Sequence, residues 1–171
     1  MSDWMQTASG LAYYPCEPRW SDVRIGDIAA SLSKLCRFAG HCASFYSVAE
    51  HSVLVSHVVP REYALQGLLH DATEAYCVDV PRPLKRSLPE YQRIEHLNWL
   101  AVAKAFGLPE ELHESVHEAD NAVLLAERDA LFTAGPAAWS LPGKPAKVRI
   151  ACWRPTRAEA EFLQRFEELT Q

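Results

Sequence analysis

His70 and Asp71 stand side by side at the end of an apolar run, GLLHD, with Glu74 three residues past the aspartate and Asp79 shortly after it. Leu68 and Leu69 lead directly into the pair, so these polar groups emerge from a segment suited to burial, where an unpaired charge is costly. A cation removes that cost. Imidazole nitrogen with carboxylate oxygen suits a divalent metal of the Zn, Mn, Fe, Co or Ni kind, and a mixed set does not choose among them. On a helix adjacent side chains diverge by about 100°, so His70 and Asp71 can flank one ion while Glu74, a turn later, lies over it.

Two more residues carry the same signature elsewhere. His51 falls in the middle of the stripe Val48, His51, Val55, Val58, and Asp120 replaces an apolar residue in the stripe Val116, Val123, Leu124, Leu131. A histidine on an apolar face is most often a satisfied core residue, and a buried aspartate needs either a charged partner or a metal. Both readings stand for each residue taken alone. Taken together, His51, His70, Asp71 and Asp120 are four candidate ligands, two histidines and two aspartates, on three different helices.

The elements that must bring these residues together are mostly helices. Ile25, Ile28, Ala29, Leu32, Leu35 and Cys36 follow helical spacing up to the segment 37–40, where Gly40 can end a helix. Ser47 and Glu50 form a capping box before the helix carrying His51, which Pro60 closes. A third helix from about residue 61 runs into His70-Asp71, and Pro81 and Pro83 then impose an extended turn. Further capping boxes at Ser87–Glu90 and Thr156–Glu159 open a fourth and a last helix, and a fifth spans about 111–132. A short strand is expected over 11–14. The stretch from Ala134 through Pro136 to Pro155 is expected to be an ordered loop, with a possible strand over 148–153.

The 171 residues suffice for one domain with its own core, and 17 Lys+Arg against 22 Asp+Glu leave a net charge of −5, the wrong sign for a nucleic-acid or anionic-membrane footprint. No stretch has the length of a membrane span or the pattern of a signal peptide, so a cytoplasmic location is expected. Five cysteines without a C-x-x-C spacing argue against a disulfide framework or a zinc knuckle.

The order H…HD…D, together with LCRFAGH, FYSVAEHSVLVS, LLHDATEAY and DVPRPLK, resembles the HD-domain metal-dependent phosphohydrolase superfamily, especially small prophage-encoded members and bacterial 5'-deoxynucleotidases. The resemblance implies one HD domain over 1–171, an all-α bundle of about five to seven helices with a metal at its centre. It implies one divalent ion, of Mn, Co, Zn, Fe or Mg, on His51, His70, Asp71 and Asp120, which activates water toward a 5'-phosphate. Glu74 takes the acid/base role and Arg37 the phosphate contact. Asp79 matches the residue that reads the deoxyribose, Lys85 is a second phosphate contact, and Trp20 can stack on a base. A deoxynucleotide substrate, with dATP or dAMP first, is the expectation, whether the product is phosphate or triphosphate. The alternatives are a nucleotide-binding regulatory domain without catalysis and a helical interaction protein. No nucleic-acid or membrane partner is expected, and a homo-oligomer is left open.

Overall fold

Gly67 sets how closely the helix that carries His51 and the one that leads into His70 can approach. A β-carbon there would lie 2.9 Å from Val59 Cγ1 and 3.2 Å from Ser56 Cα, so only glycine lets these backbones meet at this spacing. The computed structural model describes residues 3–171 apart from 134, 136 and 138, and it is predominantly α-helical. In chain order the helices are α1 (Ile25–Leu32), α2 (Val48–Val58), α3 (Ala64–Leu69), α4 (Glu74–Cys77), α5 (Arg82–Lys85), α6 (Pro89–Phe106), α7 (Glu114–Leu131) and α8 (Pro155–Thr170). Ahead of them lies a two-stranded antiparallel ribbon, β1 (Met5–Gln6) with β2 (Ala12–Tyr13), the second strand falling within the short strand expected over 11–14.

α2 is central, packing against α3, α7 and α8. One apolar cluster gathers Ile28, Leu32, Val48, Leu68, Leu69 and Phe162, and a second gathers Val55, Val59, Ala64, Val116 and Val123. Leu112 and Leu169 touch both. Each fully buried aliphatic side chain of this kind contributes about 1.5–3 kcal/mol, and the clusters fix the faces on which α2, α3 and α7 meet.

Helix ends depart from the expected caps in instructive ways. α1 stops at Leu32, and residues Arg37–Gly40 form a separate 3-10 turn in which Phe38 and Ala39 take positive φ, so Arg37 sits in a tight loop and not on the helix. The Ser47 hydroxyl caps α2 by accepting from the Glu50 amide at 3.1 Å. The Glu50 carboxylate, however, does not turn back. It is fully buried and accepts from the amides of Ala151 (2.7 Å), Cys152 (3.1 Å) and Trp153 (2.6 Å). Those amides are thereby taken from any ladder, which explains why 148–153 is not a strand. Neither Ser87 nor Thr156 caps a helix, because Pro89 and Pro155 already occupy the first helical positions, where a missing N–H costs nothing. Ala134 and Pro136, within the expected loop, lie outside the described residues. Among the described residues no helix is long and apolar enough to cross a membrane.

Candidate metal centre

α3 ends at Leu69, and the backbone tightens into i→i+3 bonds, Ala72 to Leu69 and Glu74 to Asp71, before α4 begins. His70, Asp71 and Glu74 are therefore not on one continuous helix, as the spacing suggested: His70 and Asp71 project from a tight turn between two short helices, and Glu74 opens the second. The turn is held in part by the imidazole, since His70 Nδ1 lies 2.8 Å from the Gly67 carbonyl. A carbonyl only accepts, so Nδ1 carries the proton and Nε2 offers its lone pair.

α2 brings His51, fully buried, to the same point. Its Nδ1 lies 2.6 Å from Glu127 Oε1 on α7, and its Nε2 lies 3.3 Å from His70 Nε2, 3.2 Å from Asp120 Oδ1 and 3.5 Å from Asp71 Oδ2. Asp71 Oδ2 is also 3.2 Å from His70 Nε2. His51, His70 and Asp120 each present one ligand atom, all within 4.8 Å of one another. With both Nδ1 atoms donating outward, two Nε2 lone pairs face each other across 3.3 Å, which requires a proton or a cation between them. Burial and the Arg37 charge push the His51 pKa down, but Glu127 and Asp120 outweigh them and raise it to about 9. Burial acts to raise Asp71 and Asp120, yet the histidines hold both carboxyls far below the usual range. The donor set fits a divalent ion of the borderline kind, with each histidine oriented through its other nitrogen.

A cavity of about 1010 Å³ opens over this point. Glu74 lines it, is 6% exposed, and has one carboxylate oxygen, Oε2, that is buried without a hydrogen-bond partner. Burial, then the charges of Asp71 and Asp79, hold its pKa well above the ordinary value. Arg37 lines the cavity too, with Nη1 3.3 Å from Asp71 Oδ2 and Nε 3.3 Å from Glu127 Oε2. Asp79 and Lys85 are on the wall, but Lys85 is already paired with Glu95 at 2.6 Å. Burial raises the Asp79 pKa, Arg37 opposes it and Asp71 adds to it.

Trp20 is the expected site residue that the fold places elsewhere. It belongs to a 3-10 turn packed on α6, is 51% exposed, and lines a separate hollow with Leu100 and Lys104, whose ammonium lies 5.3 Å from the ring centroid. That hollow shares no lining residue with the cavity over His70, so Trp20 is not part of the wall a group bound there would meet. The aromatic rings on the cavity wall are instead Phe38, Trp99 and Trp139.

Two residues enter the site without having been singled out. Arg82 donates to Asp120 Oδ2 at 2.7 Å and to Asn121 Oδ1 at 3.1 Å, leaving Asp120 Oδ1 toward the histidines. Glu127 is fully buried behind His51. Its signal was the one that exposed Asp120, a carboxylate seven residues further along the same inward stripe of α7.

No protein-family model matches the chain. Over 170 residues, covering 98% of this chain and 96% of the relative, it is 42% identical to the uncharacterized protein YfdR of Escherichia coli. The chain belongs to the YfdR family. It is also 32% identical, over 163 residues and 83% of the relative, to an uncharacterized protein of Rhodobacter capsulatus. Neither name carries an activity, so the chemistry open to this YfdR-family chain is argued from the site itself. Carboxylates dominate its cavity wall, with Asp71, Glu74, Asp79, Glu95, Glu110, Glu111 and Asp120 against Arg37, Arg82 and Lys85. A site of that balance attracts cations first and accepts an anion only next to a bound cation or a fixed guanidinium.

Proposed function

We propose that this protein is a metal-dependent phosphohydrolase of the HD type, acting on a deoxynucleotide at its 5'-phosphate. One observation carries the reading: two imidazoles and a carboxylate converge within 4.8 Å at the floor of a cavity whose wall holds a buried guanidinium and a carboxylate with an unpartnered oxygen. His51, His70 and Asp120, with Asp71 beside them, would hold the ion. A divalent ion so held supplies a water of lowered pKa and polarises a phosphate oxygen.

The chain's own groups do the rest. Glu74, whose pKa burial and the charges of Asp71 and Asp79 push well above the ordinary carboxylate value, can hold a proton at Oε2 and exchange it with the attacking water or the leaving oxygen. Arg37, already fixed between Glu127 and Asp71, offers positive charge to the phosphate without reorganising. Asp79, on the cavity wall ahead of Pro81 and Pro83, would accept from a sugar hydroxyl. The carboxylate-rich wall supports a substrate that enters as its complex with a cation. The adenine preference loses the support it drew from Trp20.

The test is a product assay on dAMP, AMP, dATP and ATP with Mn, Co, Mg and Zn, separating phosphate from triphosphate. Release of either from a deoxynucleotide is expected, with the ribo counterpart slower by roughly 5- to 150-fold and the gap closing in Asp79→Ala. Metal-loaded protein that binds nucleotide and releases nothing would overturn catalysis in favour of a regulatory binding domain.

A further inference from the structure

Glu127 touches both halves of the site. One oxygen receives the His51 Nδ1 proton at 2.6 Å, and the other faces Arg37 Nε at 3.3 Å. Arg37 reaches on to Asp71 and Asp71 reaches back to His51, so the contacts close into a ring: His51, Glu127, Arg37, Asp71.

Glu127 itself is absent from the cavity wall, whereas Arg37, His70, Asp71 and Asp120 line it. A carboxylate at zero exposure has given up all hydration, and a role in core packing would be filled with less cost by a leucine. What the position supplies is a fixed negative charge directed at two different neighbours. For His51 it fixes the tautomer and strengthens Nε2 as a donor to a cation. For Arg37 it places a negative charge 3.3 Å from Nε, an ion pair without a hydrogen bond, while Nη1 faces Asp71.

We infer that Glu127 is a positioning residue shared by the cation site and the anion site, tying the orientation of the ion-binding imidazole to that of the anion-binding guanidinium. This rests on the reading above that the cavity takes a cation and a phosphate, though not on whether hydrolysis follows. Because one carboxylate serves both, a change there must weaken both kinds of binding, whereas a change at Arg37 weakens only one.

The experiment uses the full chain with Mn²⁺ and inorganic phosphate as probes, titrated calorimetrically. In Glu127→Gln the Mn²⁺ dissociation constant should rise about 10- to 100-fold. Phosphate, titrated at saturating Mn²⁺ so that metal loss is not the cause, should also bind roughly 10-fold more weakly. Arg37→Ala should lose phosphate affinity and keep its Mn²⁺ affinity within about twofold, and adding Glu127→Gln to it should produce no further loss for phosphate. Should Glu127→Gln melt below the assay temperature, Glu127→Asp keeps the charge, withdraws it by one methylene and should lower both affinities. Wild type that binds Mn²⁺ and phosphate while the Glu127 variants match it in either affinity overturns the shared role and leaves the metal-site reading intact. Wild type that binds no Mn²⁺ overturns both.

Discussion

Glu50 and Glu127 are both fully buried carboxylates, one beside His51 in sequence and the other beside it in space, yet their surroundings differ in kind. Glu50 is met by three backbone amides from 151–153, groups that cannot titrate, move or exchange partners without unfolding the segment. Glu127 is met by an imidazole and a guanidinium, both of which have other ends in the cavity region. Glu74 differs again: its buried Oε2, like Glu127 Oε2, has no hydrogen-bond partner, but it lies on the cavity wall. The comparison teaches that burial of a charge does not mark function. What its charge is spent on does: backbone donors fasten structure, whereas side-chain partners and an unsatisfied oxygen at a cavity keep chemistry available.

The sharpest way to break this contrast is at the proposed ion ligands. His70→Ala and Asp120→Ala should lose metal through dialysis and lower activity by more than about 10²-fold, beyond what loss of an outer hydrogen-bonding partner costs. Metal content measured by atomic emission, with activity alongside, checks it, and variants that keep both would remove the centre from the account. Glu74→Gln should lower kcat about 10²-fold or more while leaving the melting temperature unchanged or higher, since it relieves a desolvated carboxyl. A marked loss of thermal stability instead would place Glu74 with Glu50.

Glu50→Gln should do the opposite. Replacing an acceptor oxygen by an amide group opposite backbone N–H donors should cost about 1–3 kcal/mol, lowering the melting temperature by roughly 2–4 °C per kcal/mol, with metal content unchanged. Loss of metal at unchanged stability would erase the distinction drawn here. The smallest effect is expected from Trp20→Ala, which should leave kcat/KM within about twofold, as for an exposed site far from the cavity. A tenfold loss would show that the outer hollow communicates with the centre.

Much of this molecule was legible in its residues because helical periodicity and capping are local. The stripes of α2 and α7 located His51 and Asp120, and the apolar approach to His70-Asp71 marked the pair, since burial pattern alone exposes a polar residue out of place. Long-range partners are a different matter. Nothing near Glu50 in the chain says that its carboxylate will meet amides a hundred residues away, and nothing near Arg82 announces Asp120. The turn between α3 and α4 was hidden because the 67–77 segment has helical composition throughout, while the His70 bond to the Gly67 carbonyl and the packing of Gly67 on α2 reshape it. Trp20 was assigned by residue type, and only its seat on α6 could decide its side of the molecule. Periodic burial is written residue by residue along a chain, but which buried charges meet depends on how helices cross, and that is settled only by the packing of the whole core.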